Sequence, residues 1–583
     1  MASCPINPAS ETIADFIYRY GSYKPFPIEP KDILCTDFAA LDYTVIYTPL
    51  ETAAPLSLSK YSYYSIPDIF TLLDTGALEA SGILAVFNTP PLANRGRGVL
   101  IGLIDTGIDY TNPLFLYPDG TTRIASLWDQ TIPADTASLP PGVPDYSAGS
   151  GAGYGTEFSR EQINEALASA SPLSLVPTRD TDGHGTFLAA AAAGNFQPED
   201  DFSGAAPEAE LVVVKLKPAK QYLREFYQIP RDAAAYQEND IMMAVKYMRV
   251  TSYLLGKPLV ILLGLGTNLG SHEASSPLCQ VLQDISRTLG MATVIAAGNE
   301  TGLGHHFLGN LEPDQEWEDV EIRVGSREAE NGFVLELWSD AADTFSVGFL
   351  SPSGEQIPRL PIRTDNETVL SFLLENTSIS VSFVPVETGS GRQLVFIRFE
   401  NPAAGVWKLR VYPSRYFQGT YNIWLPAQGL ISAETVFLRP NPYITITEPG
   451  NTPGPITVAA YDPAGGGISI RSSRGFTASG IVKPDIAAPG SDILGPSSVR
   501  QPEGGISFTR RSGTSVAAAL TAGAAASLLS WGIAEGNDRA MSEAAVKAHL
   551  IRGADRNPAL TYPNAEWGYG ALNLYQAFLQ LRE

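Results

Sequence analysis

The sequence predicts an α/β protein built on a doubly wound, mostly parallel sheet, with an N-terminal α/β unit and an inserted all-β domain. Three observations predict this fold. Apolar runs alternate with helical patterns over residues 77–310, short alternating segments replace them over residues 311–442, and the α/β pattern returns over residues 443–583. Residues 1–76 carry a separate pattern around one predicted strand, Tyr43–Tyr47. We therefore expect an α/β domain that is interrupted by the β block and preceded by a small unit.

The α/β part is identified by continuous apolar runs of strand length. Such runs are typical of strands that are buried on both faces of a parallel sheet. They are Val99–Ile104, Leu211–Leu216, Leu259–Leu263, Thr293–Ala297 and Ile456–Ala460. Helical patterns lie between them, and in Pro277–Leu289 the apolar residues fall on one face. The alanine-rich stretch Val516–Trp531 is shorter than the roughly 20 residues of a membrane helix, so we expect a buried helix there.

The block at residues 311–442 has the pattern of a β-sandwich. Its segments alternate apolar and polar residues with a period of two, as strands with one buried face do. They are Phe333–Trp338, Phe345–Phe349, Ile379–Phe383, Leu394–Phe399 and Trp407–Val411. Turn-forming sequences such as Ser351–Gly354 and Gly389–Gly391 separate them.

The charge balance argues against several classes of function. The 583 residues include 39 Lys and Arg against 62 Asp and Glu, a net charge of −23. Because no basic stripe is present, we expect neither nucleic acid nor an anionic membrane as a partner. The N-terminus lacks the basic start and apolar run of a secretory signal peptide, so we expect cytoplasmic synthesis. Cys4, Cys35 and Cys279 show no Cys-x-x-Cys spacing, which predicts free thiols and no zinc site.

Three polar residues occupy positions where an α/β sheet carries chemistry. Asp105 directly follows the strand Val99–Ile104, and catalytic groups gather at the carboxyl ends of parallel strands. His184, in Asp-Gly-His-Gly-Thr, and Ser515, in Gly-Thr-Ser-Val, each precede a helical pattern. Alone, each residue has an ordinary explanation as a turn residue, an interior histidine or a helix N-cap. Together, in the order Asp, His, Ser, they predict a catalytic triad.

The chemistry of acyl transfer explains why these residue types belong together. A serine hydroxyl is a weak nucleophile and needs a base, which imidazole supplies near neutral pH, while a buried carboxylate orients the imidazole. A serine at a helix N-terminus also presents backbone N–H groups to a developing oxyanion. Asn299, in Ala-Ala-Gly-Asn-Glu after a predicted strand, can supply a second donor through its side-chain amide. Its ordinary reading is a loop residue.

These motifs resemble those of the subtilases. The matching sequences are Asp-Thr-Gly at Asp105, Gly-His-Gly-Thr at His184 and Gly-Thr-Ser at Ser515. The chain order Asp, His, Ser is also that of subtilisin. The resemblance covers residues 77–310 and 443–583, and its motifs are highly specific. It implies a serine endopeptidase that acts on protein substrates.

A closer resemblance is to the clostridial spore-germination subtilases, the Csp family. The segments that carry it are Leu78–Ile83, Gly98–Asp109, Gly513–Ala519, Ser530–Ile533, Leu550–Gly553 and Glu566–Gly570. The resemblance implies that residues 1–76 are a prodomain and that residues 311–442 are a jelly roll. It further implies proteolytic activation of a zymogen that degrades spore-cortex peptidoglycan, by an enzyme packaged in the spore.

The same resemblance assigns the substrate contacts. An extended peptide is expected to pair with the backbone of Gly264, Leu265 and Gly266. The primary pocket is expected to be walled by Ala296, Ala297 and Gly298. Gly264 departs from the family pattern, which has serine there, so we expect lower local rigidity. The sequence Val-Ala-Ala-Ala after Ser515 also departs from the wider family but is shared with the Csp proteins.

The prodomain is expected to remain a partner of the enzyme at least until it is cut. The sequence Ala-Leu-Glu-Ala-Ser-Gly from Ala77 resembles the start of the mature family members. It predicts self-cleavage between Gly76 and Ala77, with the tail of the prodomain in the active site.

Other functions stay open at this point. The chain could be a catalytically silent Csp-type regulator or germinant-signalling protein, although all three triad positions are filled, or a general degradative subtilase. The β block is expected to rigidify or cover the protease, with a sugar- or partner-binding module built on Trp317, Trp338, Trp407 and Trp424 as the alternative. No cofactor is expected. Calcium is left open, because acidic stretches such as Glu199–Asp201 lack an EF-hand spacing.

Overall fold

The computed structural model describes residues 6–20, 26–40, 42–72, 79–87, 95–133, 154–200, 202–363, 367–498 and 505–581. The N-terminal unit comes first in the chain. Its strands and helices are β1 (Ile13–Arg19), β2 (Cys35–Ala40), β3 (Tyr43–Pro49), α1 (Leu50–Ala53) and β4 (Ile69–Leu72). The next helix, α2 (Ile83–Phe87), packs in the core of the α/β domain. The first three strands form an antiparallel sheet in the order β1-β3-β2, and β4 leaves it to pair elsewhere.

The first part of the α/β domain supplies most of the central sheet. Its strands are β5 (Leu100–Asp105), β6 (Ile124–Asp129), β7 (Thr156–Ser159), β8 (Glu210–Lys215), β9 (Tyr236–Gln237), β10 (Leu259–Leu263), β11 (Leu265–Gly266) and β12 (Met291–Ala296). Its helices are α3 (Arg160–Ala168), α4 (Pro172–Leu175), α5 (His184–Ala193), α6 (Gln221–Phe226), α7 (Glu238–Leu255) and α8 (Pro277–Ile285). The helix predicted to reach Leu289 therefore ends at Ile285.

An all-β segment interrupts the α/β domain. Its elements are β13 (His306–Asn310), β14 (Glu318–Val324), α9 (Glu328–Asn331), β15 (Phe333–Ser339), β16 (Thr344–Leu350), β17 (Gln356–Ile357), β18 (Thr368–Phe372), β19 (Thr377–Val384), β20 (Leu394–Glu400), β21 (Gly405–Arg415), β22 (Thr420–Trp424) and β23 (Val436–Phe437). They form a six-stranded sheet, β13-β22-β15-β20-β19-β18, and a five-stranded sheet, β17-β16-β21-β14-β23. A shared apolar core fills the space between the two sheets.

The last part of the chain completes the α/β domain. Its elements are β24 (Ile456–Tyr461), β25 (Ile486–Pro489), β26 (Ile493–Pro496), β27 (Phe508–Arg511), α10 (Thr514–Leu529), α11 (Glu543–Gly553) and α12 (Leu574–Gln580). The central sheet has the order β25-β24-β12-β10-β5-β8-β6-β7, and every pair in it is parallel except β6 with β7. The predicted doubly wound, mostly parallel sheet is thus confirmed.

The alanine-rich helix α10 lies in the middle of the core. Every one of its residues is buried, which explains why its sequence shows no polar face. The stretch Thr514–Ala534 is apolar enough to cross a membrane by composition and length, but 89% of its most apolar window is buried inside the protein. The prediction of a buried helix here is confirmed.

Strand β15 of the six-stranded sheet buries both of its faces. Leu335 and Leu337 of β15 point into the core between the sheets, whereas Val334 and Trp338 pack against the N-terminal unit and α6, as the alternation along a strand requires. Trp407 is buried inside the insertion. Trp338, Trp407 and Trp424 are at most 2% exposed, so sugar stacking on these three rings is excluded. Trp317 is the exception, because it is 38% exposed.

The cysteine prediction needs one correction. Cys279 is a buried free thiol, as expected. Cys35 is disulfide-bonded, so the expectation of free thiols is wrong for this residue. Cys4 lies outside the described residues. A spacing argument of this kind fails because a disulfide depends on which strands meet, not on separation along the chain.

Candidate active site

The three residues of the predicted triad lie at the ends of a strand and two helices. These ends meet at the carboxyl end of β5, in the middle of the central sheet. Asp105 is the last residue of β5, His184 is the first residue of α5, and Ser515 is the second residue of α10. Glycines precede both helices, with φ of 84° at Gly183 and 150° at Gly513. These are angles that residues with a Cβ rarely adopt, so glycine is required where each chain turns sharply into its helix.

The side chains form a continuous hydrogen-bonded chain. His184 Nδ1 lies 2.8 Å and 3.0 Å from the two carboxylate oxygens of Asp105, and His184 Nε2 lies 3.4 Å from Ser515 Oγ. All three residues are buried. Because Asp105 accepts a hydrogen bond from His184 Nδ1–H, the ring presents the lone pair of Nε2 to the serine hydroxyl. This arrangement lets the imidazole take the hydroxyl proton during attack.

A second carboxylate, Asp180, ties the loops that carry Asp105 and His184. Its Oδ1 accepts from Gly183 N and from Thr106 Oγ1, both at 2.8 Å. Its Oδ2 accepts from Thr186 N at 2.8 Å and Thr186 Oγ1 at 2.7 Å. An anion at the first turn of a helix is stabilised by the free N–H groups there. Sequence reasoning missed Asp180, although its position four residues before His184, at a predicted helix start, is a usable signal.

Thr106 completes this network at the carboxylate of Asp105. Its backbone N donates to Asp105 Oδ1 at 2.8 Å, and its hydroxyl accepts from Gly185 N at 2.9 Å. The residue therefore links the end of β5 to the first turn of α5. The orientation of Asp105 relative to His184 is set by backbone groups on both sides.

Asn299 lies beside the serine, as predicted. Its Oδ1 accepts a hydrogen bond from Thr514 N at 3.1 Å, and Gly298 N donates to Thr514 Oγ1 at 3.1 Å. With the oxygen held in this way, the NH₂ group is the free end of the amide. Ser515 N is among the first N–H groups of α10, which an α-helix leaves without an internal acceptor. The site thus offers two donors for an oxyanion next to the nucleophile.

The predicted substrate strand is occupied by the protein's own chain. Leu265 and Gly266 of β11 pair antiparallel with Leu72 and Thr71 of β4. On its other edge β4 pairs with β9, so that it is the middle strand of a three-stranded sheet. The register carries β4 toward Gly264 as it approaches Leu72. The backbone of the predicted strand therefore does bind an extended segment.

Gly264 is in contact with the triad. A Cβ at this position would lie 2.7 Å from Leu188 Cδ1, 3.1 Å from Ser515 Cβ and 3.4 Å from His184 Cε1. Leu188 of α5 thus fills the space that a serine side chain needs. A serine at residue 264 therefore requires the Leu188 side chain to shift.

The predicted pocket wall is a buried segment of backbone. Ala296 and Ala297 are fully buried, and Ala297 N donates to Val458 O at 3.0 Å. A Cβ on Gly298, which has φ of 105°, would lie 2.7 Å from Thr447 Cγ2. Only glycine fits there. The predicted cleavage site, Gly76–Ala77, lies outside the described residues.

The described residues contain no group of three or more His, Cys, Asp or Glu side chains arranged to hold a metal ion. Of the acidic stretch considered for calcium, Asp201 lies outside the described part of the chain.

Known proteins resemble this chain in sequence and in fold. The subtilase family model matches residues 96–349 and 440–570. The solved structure of the CspB protease of Clostridium perfringens is similar over 86% of this chain and 97% of its own, with 29% identity and a TM-score of 0.73.

Two curated relatives match over shorter parts of their own length. Subtilisin-like protease SBT1.9 of Arabidopsis thaliana is 32% identical over 150 residues, 23% of this chain and 18% of that protein. C5a peptidase of Streptococcus pyogenes is 23% identical over 461 residues, 74% of this chain and 34% of that protein. The matches thus span between about a fifth and a third of these relatives. From the family match and the fold, the chain belongs to the subtilase family.

Proposed function

We propose that this protein is a serine endopeptidase that cleaves peptide bonds through Ser515, His184 and Asp105. The observation that carries the proposal is the Asp–His–Ser chain of hydrogen bonds beside Asn299. Membership of the subtilase family and the similarity to a solved Csp protease support it.

The geometry allows the usual two-step reaction. Ser515 Oγ attacks the scissile carbonyl carbon while its proton moves to His184 Nε2, and Asp105 stabilises the resulting imidazolium. Asn299 Nδ2 and Ser515 N donate hydrogen bonds to the oxyanion. The C–N bond then breaks as His184 returns the proton to the departing amine. Water, deprotonated by His184, hydrolyses the acyl-enzyme and restores Ser515.

We further propose that residues 1–76 act as a prodomain that the enzyme cuts itself. The support is the antiparallel placement of β4 against β11, in which Leu72 pairs with Leu265, the residue after Gly264. Our sequence-based expectation for the cut is Gly76–Ala77. The prodomain then acts as the first substrate of its own active site.

The biological substrate we propose is a zymogen of a spore-cortex peptidoglycan hydrolase. The resemblance to the Csp family and to the CspB protease supports it. Synthesis in the cytoplasm and packaging in the spore belong to the same proposal. The direct test is whether the purified protein cleaves such a zymogen and its Ser515→Ala variant does not. If the wild-type protein does not cleave the zymogen but is an active peptidase, this substrate is wrong and the alternative of a general degradative subtilase remains.

Intact mass spectrometry tests the catalytic proposal first. The wild-type protein is expected to split into a small N-terminal and a large C-terminal fragment, while Ser515→Ala stays whole. Ser512→Ala, an exposed serine three residues away, is the matched control and is expected to split like the wild type. The fragment masses also locate the cut, and a start far from residue 77 contradicts Gly76–Ala77.

A fluorophosphonate probe separates the remaining alternatives. If the wild type stays whole but its Ser515 reacts with the probe, the triad is active and self-cleavage is absent. If neither splitting nor labelling occurs, the protein is a catalytically silent regulator, and the proposal of an endopeptidase is wrong.

A further inference from the structure

Glu300 directly follows the oxyanion donor Asn299 and is only 3% exposed. Its Oε1 accepts from Gln428 N at 2.9 Å. Its Oε2 accepts from His305 Nδ1 at 2.7 Å and from Asn268 Nδ2 at 2.9 Å. Its backbone N donates to Ser473 Oγ at 3.0 Å. The carboxylate is therefore held at both oxygens inside the protein.

The partners of Glu300 lie at the base of the inserted β segment. His305 immediately precedes β13, and Gln428 follows β22, the strand that pairs with β13. Leu425, directly after β22, links these residues through its backbone. Its N donates to His305 O at 2.9 Å, and its carbonyl oxygen accepts from Asn268 Nδ2 at 3.2 Å. Asn268 itself lies two residues beyond Gly266, the end of the substrate strand.

The electrostatics favour an ionised carboxylate in this place. Burial by itself raises the pKa of Glu300, but the His305 ring and the hydrogen bonds from His305, Gln428 N and Asn268 outweigh burial and leave the pKa below its ordinary value. Three donors face the two oxygens. Only a group that accepts at both positions satisfies them, which a carboxylate does and an amide does not.

We propose that Glu300 is a positioning residue that fastens Asn299 to the base of the inserted β segment, so that this segment takes part in holding the oxyanion site. The inference rests on the proposed peptidase function. It extends that function, because it gives the insertion a role in the chemical step and not only in stability.

Steady-state kinetics on a peptide substrate give the first test. Glu300→Gln keeps the size of the side chain but turns an NH₂ group toward donors, so Asn299 is expected to shift. We expect kcat to fall by about 10- to 100-fold with KM changed less than about twofold, because a small misplacement of a transition-state donor mainly affects the chemical step. The control is Glu330→Gln, an exposed glutamate of α9, for which no change is expected.

A double-mutant cycle separates positioning from general stability. If Glu300 acts through Asn299, then Glu300→Gln costs less than about threefold in kcat once Asn299→Ala is present. An equal loss in both backgrounds assigns Glu300 a general structural role and overturns the proposal. An unchanged kcat in the single variant overturns it as well.

Hydrogen exchange gives a readout that does not need activity. In Glu300→Gln the amides of residues 296–301 are expected to exchange faster, with no change in β6. If Glu300→Gln does not fold, His305→Gln, which can keep a donor toward Glu300 but removes the imidazole ring, is expected to show the same local effect in weaker form, with His549→Gln as control. Unchanged exchange at residues 296–301 rejects the positioning role.

The exchange result stays informative if the peptidase function is wrong. Should wild-type Ser515 fail to react with fluorophosphonate, the peptidase function is wrong, and the exchange result alone decides whether Glu300 holds residues 296–301 in place.

Discussion

At the active site, Asp105 and Glu300 each face a histidine ring at 2.7–2.8 Å. A second set of buried carboxyls, Asp68, Glu238, Glu336 and Glu448, forms no salt bridge with a basic side chain in the described part of the chain. We call this second set the carboxyl junction. Burial raises the pKa of Glu336 and of Glu448 to about 7, whereas the pKa of Glu300 is lowered. The difference teaches that burial alone does not decide the pKa of a carboxyl in this protein, because at Glu300 the His305 ring and the hydrogen bonds outweigh it.

The carboxyl junction joins three parts of the molecule. Asp68 belongs to the N-terminal unit, and its carbonyl accepts from Glu238 N of α7 at 2.9 Å. Tyr63 of the same unit donates to Glu336 Oε1 of the insertion at 2.7 Å. Glu448, from the last part of the chain, accepts from His272 N at 3.1 Å. Neutral carboxyls, which both donate and accept, suit such an uncharged interface.

The largest expected effect comes from removing charge at the active site. Asp105→Asn keeps the shape of the side chain but presents an NH₂ group to His184 Nδ1, which favours the wrong tautomer. We expect kcat to fall by about 10⁴-fold, the effect of this substitution in a serine-protease triad. Initial rates on a peptide substrate measure it, and Glu448→Gln at the carboxyl junction is the control that should leave kcat within about twofold. A loss below tenfold in Asp105→Asn contradicts the assigned role.

A buried ion pair at the N-terminal unit extends the comparison to stability. Asp15 Oδ1 lies 2.5 Å from Lys220 Nζ, and both side chains are 1% exposed. Asp15→Ala leaves the ammonium group without its anion, so the free energy of unfolding should fall by about 3 to 5 kcal/mol. Urea unfolding measures this. Asp42→Ala removes an exposed partner of Arg19 and should change stability by less than about 1 kcal/mol; similar losses in both variants would refute the distinction.

The carboxyl junction predicts a dependence of stability on pH. The folded-state pKa of Glu336 and Glu448 is about 7, above the value of about 4.3 expected in the unfolded chain. Their contribution is therefore fully present below about pH 4.3 and is lost as the pH rises to about 7, because the unfolded state releases these protons first. Thermal unfolding between pH 4.5 and 8 measures the slope.

Glu448→Gln tests which groups cause that slope. The amide resembles the protonated carboxyl, so the variant should be about 1 to 3 kcal/mol more stable than the wild type at pH 8 and about equal near pH 4.5. Glu330→Gln should leave the pH profile unchanged. Parallel profiles for wild type and Glu448→Gln would show that this carboxyl does not titrate in the folded protein.

An effect of similar size is expected at Gly264. In Gly264→Ser the new Cβ would lie 2.7 Å from Leu188 Cδ1, so the end of the Leu188 side chain has to move. That side chain is flexible but fully buried. We expect a loss of stability of about 1 to 3 kcal/mol, as for overpacking. In the double variant Gly264→Ser with Leu188→Ala the loss caused by the serine should be smaller than in the Leu188 wild-type background. Additive losses would show that Leu188 is not the obstacle.

Local pattern predicted the elements that carry the triad but not the contacts that hold them. The apolar run that ends before Asp105 matches β5, and the alanine-rich stretch matches α10. The link from Asp180 to Thr106 could not be predicted, because the two residues lie 74 positions apart in the chain. Gln428, which binds Glu300 from 128 residues away through its backbone, has no residue preference that a sequence could show.

The inserted segment shows the same limit for strands. The five segments predicted there correspond to β15, β16, β19, β20 and β21, whereas β13, β14, β18 and β22 were not predicted. The two-residue strands β17 and β23 carry no periodicity. Burial of Trp338 and Trp424 followed from packing against the N-terminal unit, which strand pattern alone does not reveal.

The placement of β4 between β9 and β11 turns peptide recognition in the intact chain into a competition. An added peptide that pairs with the same two edges has to displace a strand that is tethered to the site, and a short tether corresponds to an effective concentration on the order of millimolar. An inhibition constant measured on the uncut protein therefore reports a ratio of two affinities and not the affinity of the peptide itself. The same peptide should bind more tightly once the N-terminal unit has been removed, by the factor that this local concentration sets.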